Sequence, residues 1–416
     1  MPSQGEHPSS ATEVPLNADV AADTKDAGSG PGAALRGKSR DWVELTMSDE
    51  GEEVAIAAAA ERQELQIELL RAINSDSLVV LTGLGTSLGI PKIGDRKAPT
   101  MWNLWQKVQS LPTFAAATKD LSRDLIESEN IEHLLSHIQA RLSVYEANIN
   151  LGSFLNEAES VILEACSFVD DATSLDMHQM FLRKIGRRSS RLQRTKLFTT
   201  NYDLAFEVAA ARSRFHLIDG FGLAAHREFD GTAFDIDFVR RGPNDRLVLE
   251  ENVLHLLKLH GSVDWERNGA AAKRIEGRPN DPVLIYPAAN KYQMSFRQPY
   301  LEMMSRFQMA LRLPNVALLV VGFGFNDEHI AAPIEAAVRS NVGLRLLVVD
   351  PAIRNEAKRS QSIAWLEKLA MDGDHRLTLI DGTFNDLVRL MPDASEFDER
   401  QAHAERISRV DETGAM

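Results

Sequence analysis

Leu78–Pro91 reads LVVLTGLGTSLGIP, an apolar run that breaks into glycines and ends at Ile-Pro. A buried strand that stops at Gly-x-Gly can turn sharply and press its backbone against a ligand where a side chain would collide. α/β proteins hold dinucleotides in this way, although glycine-rich turns after strands also arise from packing alone. The meaning of Gly83 and Gly85 therefore depends on what the rest of the chain places beside them.

Working outward, short apolar runs recur at Lys196–Thr200, Val253–Leu259, Val283–Tyr286, Val316–Val321 and Leu344–Val349. Each has strand length, and most are bounded by Gly, Asn, Asp or Pro. Glu52–Asn74 carries strong helix formers at helical spacing and feeds the first strand. Residues from Trp102 to about 190 read as a helical insertion, with Ile131, Leu134, Leu135 and Ile138 on one helix face. Strands alternating with helices predict an α/β fold, a Rossmann-like and mostly parallel sheet covered on both faces.

The predicted organisation is a disordered tail over 1–45, a catalytic domain over 46–390 and a charged tail over 391–416. The first segment is rich in Gly, Ser, Pro, Ala and Asp and buries too little apolar surface to offset its ordering entropy. At 416 residues, 44% hydrophobic and 25% charged, the chain can bury a large core. A net charge of −14 offers no global basic field for nucleic acid. The basic run Arg183–Lys196 reads as a solvated helix end or loop, with a protein or nucleic-acid partner as the sharper alternative. Cys166 is the sole cysteine, so no disulfide and no cysteine-rich zinc site can be built. No signal-peptide pattern opens the chain, and no apolar run is long enough to cross a bilayer, so a cytoplasmic location is expected.

Polar residues follow four of the strands: Thr199-Thr200-Asn201-Tyr202-Asp203, His260-Gly261-Ser262, Gly322-Phe323-Gly324-Phe325-Asn326-Asp327 and Asp350-Pro351. Open α/β sheets bind ligands outside the carboxyl ends of their strands. Asp203 and Asp327 also fit as ordinary helix caps, and Asp350 as a turn former. A conventional dehydrogenase fits less well. Gly83-x-Gly85-x-x-x-Gly89 has one residue too many between its last two glycines, and no acidic residue closes a second strand about twenty residues on.

Taken in order, these segments resemble the sirtuin family, in its divergent bacterial branch. Gly83–Pro91 is similar to the family's Gly-Ala-Gly-x-Ser-x-x-x-Gly-Ile-Pro loop, with Leu84 in place of Ala and two residues fewer before the last Gly. Thr199–Asp203 resembles its Thr-Gln-Asn-(Ile/Tyr)-Asp segment, with Thr200 in place of Gln. Leu259–Ser262 resembles the segment that carries the catalytic histidine, and Val321–Asp327 the glycine loop that approaches the dinucleotide. The four cysteines of the deacetylases' zinc ribbon are missing, and Lys92-Ile-Gly-Asp95 replaces the usual Asp-Phe-Arg continuation.

The resemblance implies a zinc-ribbon-free NAD+ hydrolase that releases nicotinamide and ADP-ribose, with NAD as substrate and no metal. It implies catalytic roles for Asn201, which orients the ribose or the attacking water, and His260, which takes a proton. Dinucleotide contacts are expected at Gly83, Gly85, Thr86, Ser87, Pro91, Thr200, Asp203, Gly322, Gly324, Phe325 and Asp350, with the amides of Gly83–Ser87 receiving the pyrophosphate. Related bacterial proteins act in antiphage defence, which adds a homo-oligomer and a HerA-type hexameric ATPase partner to the expectation. A protein deacylase or ADP-ribosyltransferase, and a non-catalytic module that senses NAD or ADP-ribose, are the alternative readings.

Overall fold

The computed structural model describes residues 31–45, 52–144, 149–189, 191–222, 227–269, 271–284 and 298–392. Its centre is a nine-stranded sheet. Seven strands run parallel: β3 (Ser77–Thr82), β4 (Lys196–Thr199), β5 (His216–Ile218), β8 (Val253–Lys258), β12 (Val316–Val321), β13 (Arg345–Val349) and β14 (Leu377–Asp381). β1 (Ala33–Arg36) pairs antiparallel with β14, and β2 (Trp42–Glu44) with β1. The spatial order is β2-β1-β14-β13-β12-β3-β4-β8-β5. Within it, β8-β4-β3-β12-β13-β14 reproduces the 3-2-1-4-5-6 order of dinucleotide-binding sheets.

Parallel strands buried on both faces read as continuous apolar runs, and these do. Val79 and Leu81 of β3 enter one core while Leu78 and Val80 enter the other, and β12 and β13 divide in the same alternation. The first core is closed by α10 (Tyr300–Leu311), α11 (Glu328–Ser340) and α12 (Gln361–Met371). The second is closed by α1 (Glu52–Ile73), α8 (Asp176–Gly186), α9 (Ala205–Arg212) and α13 (Phe384–Leu390).

A third core belongs to the helical insertion. It joins α3 (Met101–Gln109), α4 (Phe114–Thr118), α6 (Ile131–Val144) and α7 (Ile149–Cys166) around Trp105 and Phe154, with α5 (Arg123–Glu127) packed beside them. Val263 and Leu284, from a small antiparallel sheet of β9 (Gly261–Asn268), β10 (Ala271–Arg274) and β11 (Pro282–Leu284), complete that core. A two-stranded ribbon, β6 (Val239–Arg241) and β7 (Leu247–Leu249), stands apart.

Two expectations are corrected and a third is refined. The tail assigned to 1–45 ends earlier: Ala33, Ala34 and Leu35 are fully buried in the main sheet. Three small residues after a Gly-Pro-rich stretch carry too little local signal, and their order comes from pairing with Thr378–Asp381, which lies far along the chain. Met1–Gly30 lies outside the described residues, as does 393–416 of the charged tail.

The insertion also ends earlier than 190, because α8 packs on the sheet rather than in the third core. Finally, the basic run forms the end of α8 and the loop after it, with Arg191 exposed, but several of its cations are committed to the fold. Arg188 donates Nε to Ile73 O (2.7 Å), Nη1 to Gln193 O (2.7 Å) and Nη2 to Ser75 O, tying off the end of α1. Lys184 Nζ donates to Met391 O at 2.5 Å, and Arg194 forks onto Asp237.

Candidate active site

The sheet register sets the site. Thr82, Thr199 and Lys258 lie level across β3, β4 and β8, and Val321 and Val349 continue the same level across β12 and β13. The loops that follow all leave one edge of the sheet together. Strand order reverses between β3 and β12, so the crevice outside their carboxyl ends is the topological switch point.

At that point the two glycine loops touch backbone to backbone. Gly85 N–H donates to Gly322 O (3.0 Å) and Gly83 N–H to Val321 O (3.1 Å). A Cβ on Gly83 would lie 2.6 Å from Gly322 O, and one on Gly85 would lie 2.6 Å from Gly322 Cα. Gly322 has φ +62°, which a glycine adopts without cost. These glycines are thus required by the packing of β3 against β12.

α2 (Gly85–Leu88) is a single turn, and its amides are already spent: Thr86 N–H donates to Gly83 O and Ser87 N–H to Leu84 O. Of the donors that the sequence assigns to a pyrophosphate, the N–H groups of Gly83, Gly85, Thr86 and Ser87 bond within the protein.

Asn201 binds the same loop. Its Nδ2 lies 3.0 Å from Gly83 O, 3.2 Å from Thr86 Oγ1 and 2.9 Å from Ser87 Oγ, so two amide hydrogens are shared among three acceptors. Ser87 Oγ passes its own hydrogen to Asp203 Oδ2 at 2.7 Å, while Asp203 Oδ1 accepts from Ala205 N–H at 3.0 Å. Asp203 therefore ties the Gly83–Ser87 loop to the first residue of α9, whose N-cap is Leu204. Thr200 joins by its backbone, donating N–H to Thr82 O.

Beneath this loop lies Lys258, 3% exposed. Its Nζ donates to Tyr202 O (3.2 Å) and Asp203 O and pairs with Glu207 Oε1 at 3.0 Å. Burial raises the Glu207 carboxyl, and the ammonium opposes that rise. A charge so deeply buried persists only with partners on every side. Lys258 thereby clamps the segment that presents Asn201.

His260 follows β8 as Asn201 follows β4, each two residues past the Thr199–Lys258 pair. Gly261 makes the turn there with φ +91°, where a Cβ would meet Val283 O at 2.0 Å. The loops are zipped together by Val263 N–H to Tyr202 O (3.0 Å). The Tyr202 ring lies 6.4 Å from the imidazole, and burial holds its phenol well above the usual range. His260 Nε2 lies 3.0 Å from Asp327 Oδ2, both side chains being 7% exposed.

Other expected residues take peripheral places. Phe325, buried at φ +58°, tilts against Phe323 within the second glycine loop. A Cβ on Gly324 would meet only the Asn326 side chain, at 3.2 Å. Asp350 closes its own turn by accepting from Ala352 N–H at 2.8 Å, and burial raises its carboxyl. Pro91 is exposed. Cys166 is buried with its thiol pushed up to about 12, and His255 is half-buried, stacked on Phe234.

Sequence reasoning missed Lys258 and Glu207, and it gave Asp327 only a capping role. A lysine inside the run VLHLLKL was the available signal, since such a residue is seldom buried without a task. Among the described residues no His, Cys, Asp and Glu cluster is arranged to hold a metal ion, and no helix is long and apolar enough to cross a membrane.

The fold and site define an α/β protein of the Rossmann type with a polar cluster at its switch point. Residues 195–371, less than half of the chain, match a family model described as a SIR2-like domain, which supports a sirtuin-like family. Similar solved structures include a Sir2 homologue mutant in complex with ADP-ribose (13% identity, 74% of this chain and 96% of that chain, TM-score 0.34). A Sir2 homologue in complex with NAD is 14% identical over 74% of this chain and 93% of that one, with a TM-score of 0.33. A structure concerned with the mechanism and regulation of Sir2 enzymes is 13% identical over 79% and 97%, with a TM-score of 0.37. No curated protein matches the chain.

Proposed function

We propose that this protein hydrolyses NAD+ at its nicotinamide–ribose bond. The observation that carries the reading is that Asn201 and His260 each lie two residues past the paired ends of adjacent parallel strands, near the switch point. Neighbouring strands are about 4.8 Å apart, and the reading assigns both side chains to one sugar ring. In the reaction the C1′–N bond breaks and its electron pair stays on nicotinamide. A water oxygen then bonds C1′, and its proton passes to a base. With Nδ2 of Asn201 tied to the Gly83–Ser87 loop, its Oδ1 is the end suited to orient that water. His260 takes the proton from the water or from a ribose hydroxyl.

The dinucleotide is proposed to lie across the two glycine loops, with Gly324 facing its approach and Asp350 near the adenosine ribose. The single cysteine supports hydrolysis over acyl-lysine chemistry, because the ribbon that walls an acyl-peptide cleft cannot be built. The family resemblance further suggests an assembly that pairs with a HerA-type ATPase and depletes NAD in antiphage defence. A monomer in gel filtration at micromolar concentration would count against that assembly.

The decisive experiment follows nicotinamide release from NAD+ by the purified chain, with and without a HerA-type ATPase. His260→Ala and Asn201→Ala are expected to lower release by about 10²–10⁴-fold with the fold intact. NAD+ binding with no turnover under either condition would overturn the hydrolase reading in favour of a sensing module. Release that required an acyl-peptide would overturn it in favour of a deacylase.

A further inference from the structure

Asp327 caps α11 with one oxygen only: Oδ1 accepts from His329 N–H at 3.0 Å. Its second oxygen, Oδ2, reaches His260. That contact is not local. β12 and β8 are separated by β3 and β4, a span of three strand spacings, or about 14 Å. The loops after β12 and β8 must therefore arch toward each other over the ends of β3 and β4, above Ser87 and Asn201. Ser, Thr or Asn would cap α11 as well. Only a carboxylate accepts both from the backbone and from the imidazole while offering no hydrogen of its own.

We propose that Asp327 is the positioning residue of His260, holding the Nε2–H tautomer so that Nδ1 is the ring nitrogen that accepts the proton. The pair is buried, where such a hydrogen bond is stronger than in water and the ring cannot swing freely. Because Asp327 rides on the loop whose Gly322 packs against Gly85, the orientation of His260 is tied to the closure of the two glycine loops. The effect on turnover presupposes the hydrolase reading above, whereas the tautomer does not.

Asp327→Asn separates the roles of cap and carboxylate. Its amide oxygen can still cap α11, but its NH2 facing His260 would demand the Nδ1–H tautomer. The test uses the full chain labelled with ¹⁵N-histidine, the His260 signals being assigned by their loss in His260→Gln. Nε2 is expected to be protonated in the wild type, Nδ1 in Asp327→Asn, and Nε2 again in Asp327→Glu. For nicotinamide release, Asp327→Asn should lower kcat about 10–100-fold, as loss of an orienting partner does, while KM and melting temperature stay near wild type. A wild-type Nδ1–H tautomer, or a tautomer unchanged in Asp327→Asn, would overturn the proposal. If the wild type releases no nicotinamide, the hydrolase reading fails and the tautomer pattern still decides the role of Asp327.

Discussion

Gly85 and Gly322 meet backbone to backbone, and a Cβ on either would come within 2.6 Å of the other's Cα. This contact lets the first turn after β3 and the turn after β12 share one level, and it sets the width of the crevice between them. Gly322→Ala must separate two backbones and hold alanine at φ +62°, the latter alone costing about 1–2 kcal/mol. A lower melting temperature and lost nicotinamide release are expected together. Gly324→Ala, whose Cβ meets only a movable Asn326 side chain, should leave the melting temperature unchanged and raise KM for NAD+. Equal melting behaviour in the two variants would refute the packing role of Gly322.

Lys258 supports the site from below. Removing the buried cation takes from Glu207 its ion-pair partner and leaves its burial unopposed by the ammonium, and loss of one member of a buried pair typically costs about 3–5 kcal/mol. Lys258→Met is therefore expected to be far less stable than wild type in urea denaturation. Lys258→Met/Glu207→Leu should recover part of the loss by removing the orphaned carboxylate. It should not restore turnover, since the carbonyls of Tyr202 and Asp203 have still lost the ammonium that held them. A double variant with wild-type kcat would show that the clamp is dispensable for presenting Asn201.

Five of the seven parallel strands are legible as apolar runs, whereas β5 (His216–Ile218) and β14 (Leu377–Asp381) are not among the runs that the sequence offers. Val316–Val321 was read to the residue, and Lys196–Thr199 and Val253–Lys258 to within one. β1 was illegible because Ala33-Ala34-Leu35 becomes a strand only when Leu377–Asp381 is beside it. At the site, the polar residues at strand ends could be read, but not where their hydrogen bonds go. Thr86 and Ser87 look like phosphate ligands in the text, yet their hydroxyls serve Gly83 O, Asn201 and Asp203. Asp327 looks like a cap because it is one. Its bond to His260 depends on the arch over two intervening strands, which no local pattern encodes.

The protein should be acid-sensitive for a reason that one substitution can isolate. His178 lies on α8 between Phe206 and Phe384, its ring centroid 5.1 and 4.9 Å from theirs, and its Nε2 is buried with no hydrogen-bond partner. Burial lowers its pKa from 6.5 to about 4. Burial likewise takes His255 to about 4, with Lys196 adding to the shift. Between those limits the unfolded chain holds a proton at each site that the folded chain does not. Stability therefore climbs with pH through that window, is complete above about 6.5, and is lost as the pH falls toward 4. Leucine at position 178 has no proton to gain and no orphaned nitrogen to bury. The melting temperature of His178→Leu relative to wild type should thus be markedly higher at pH 5 than at pH 8. An equal difference at both values would mean that His178 does not titrate on unfolding in this range, and that the acid sensitivity lies with other groups.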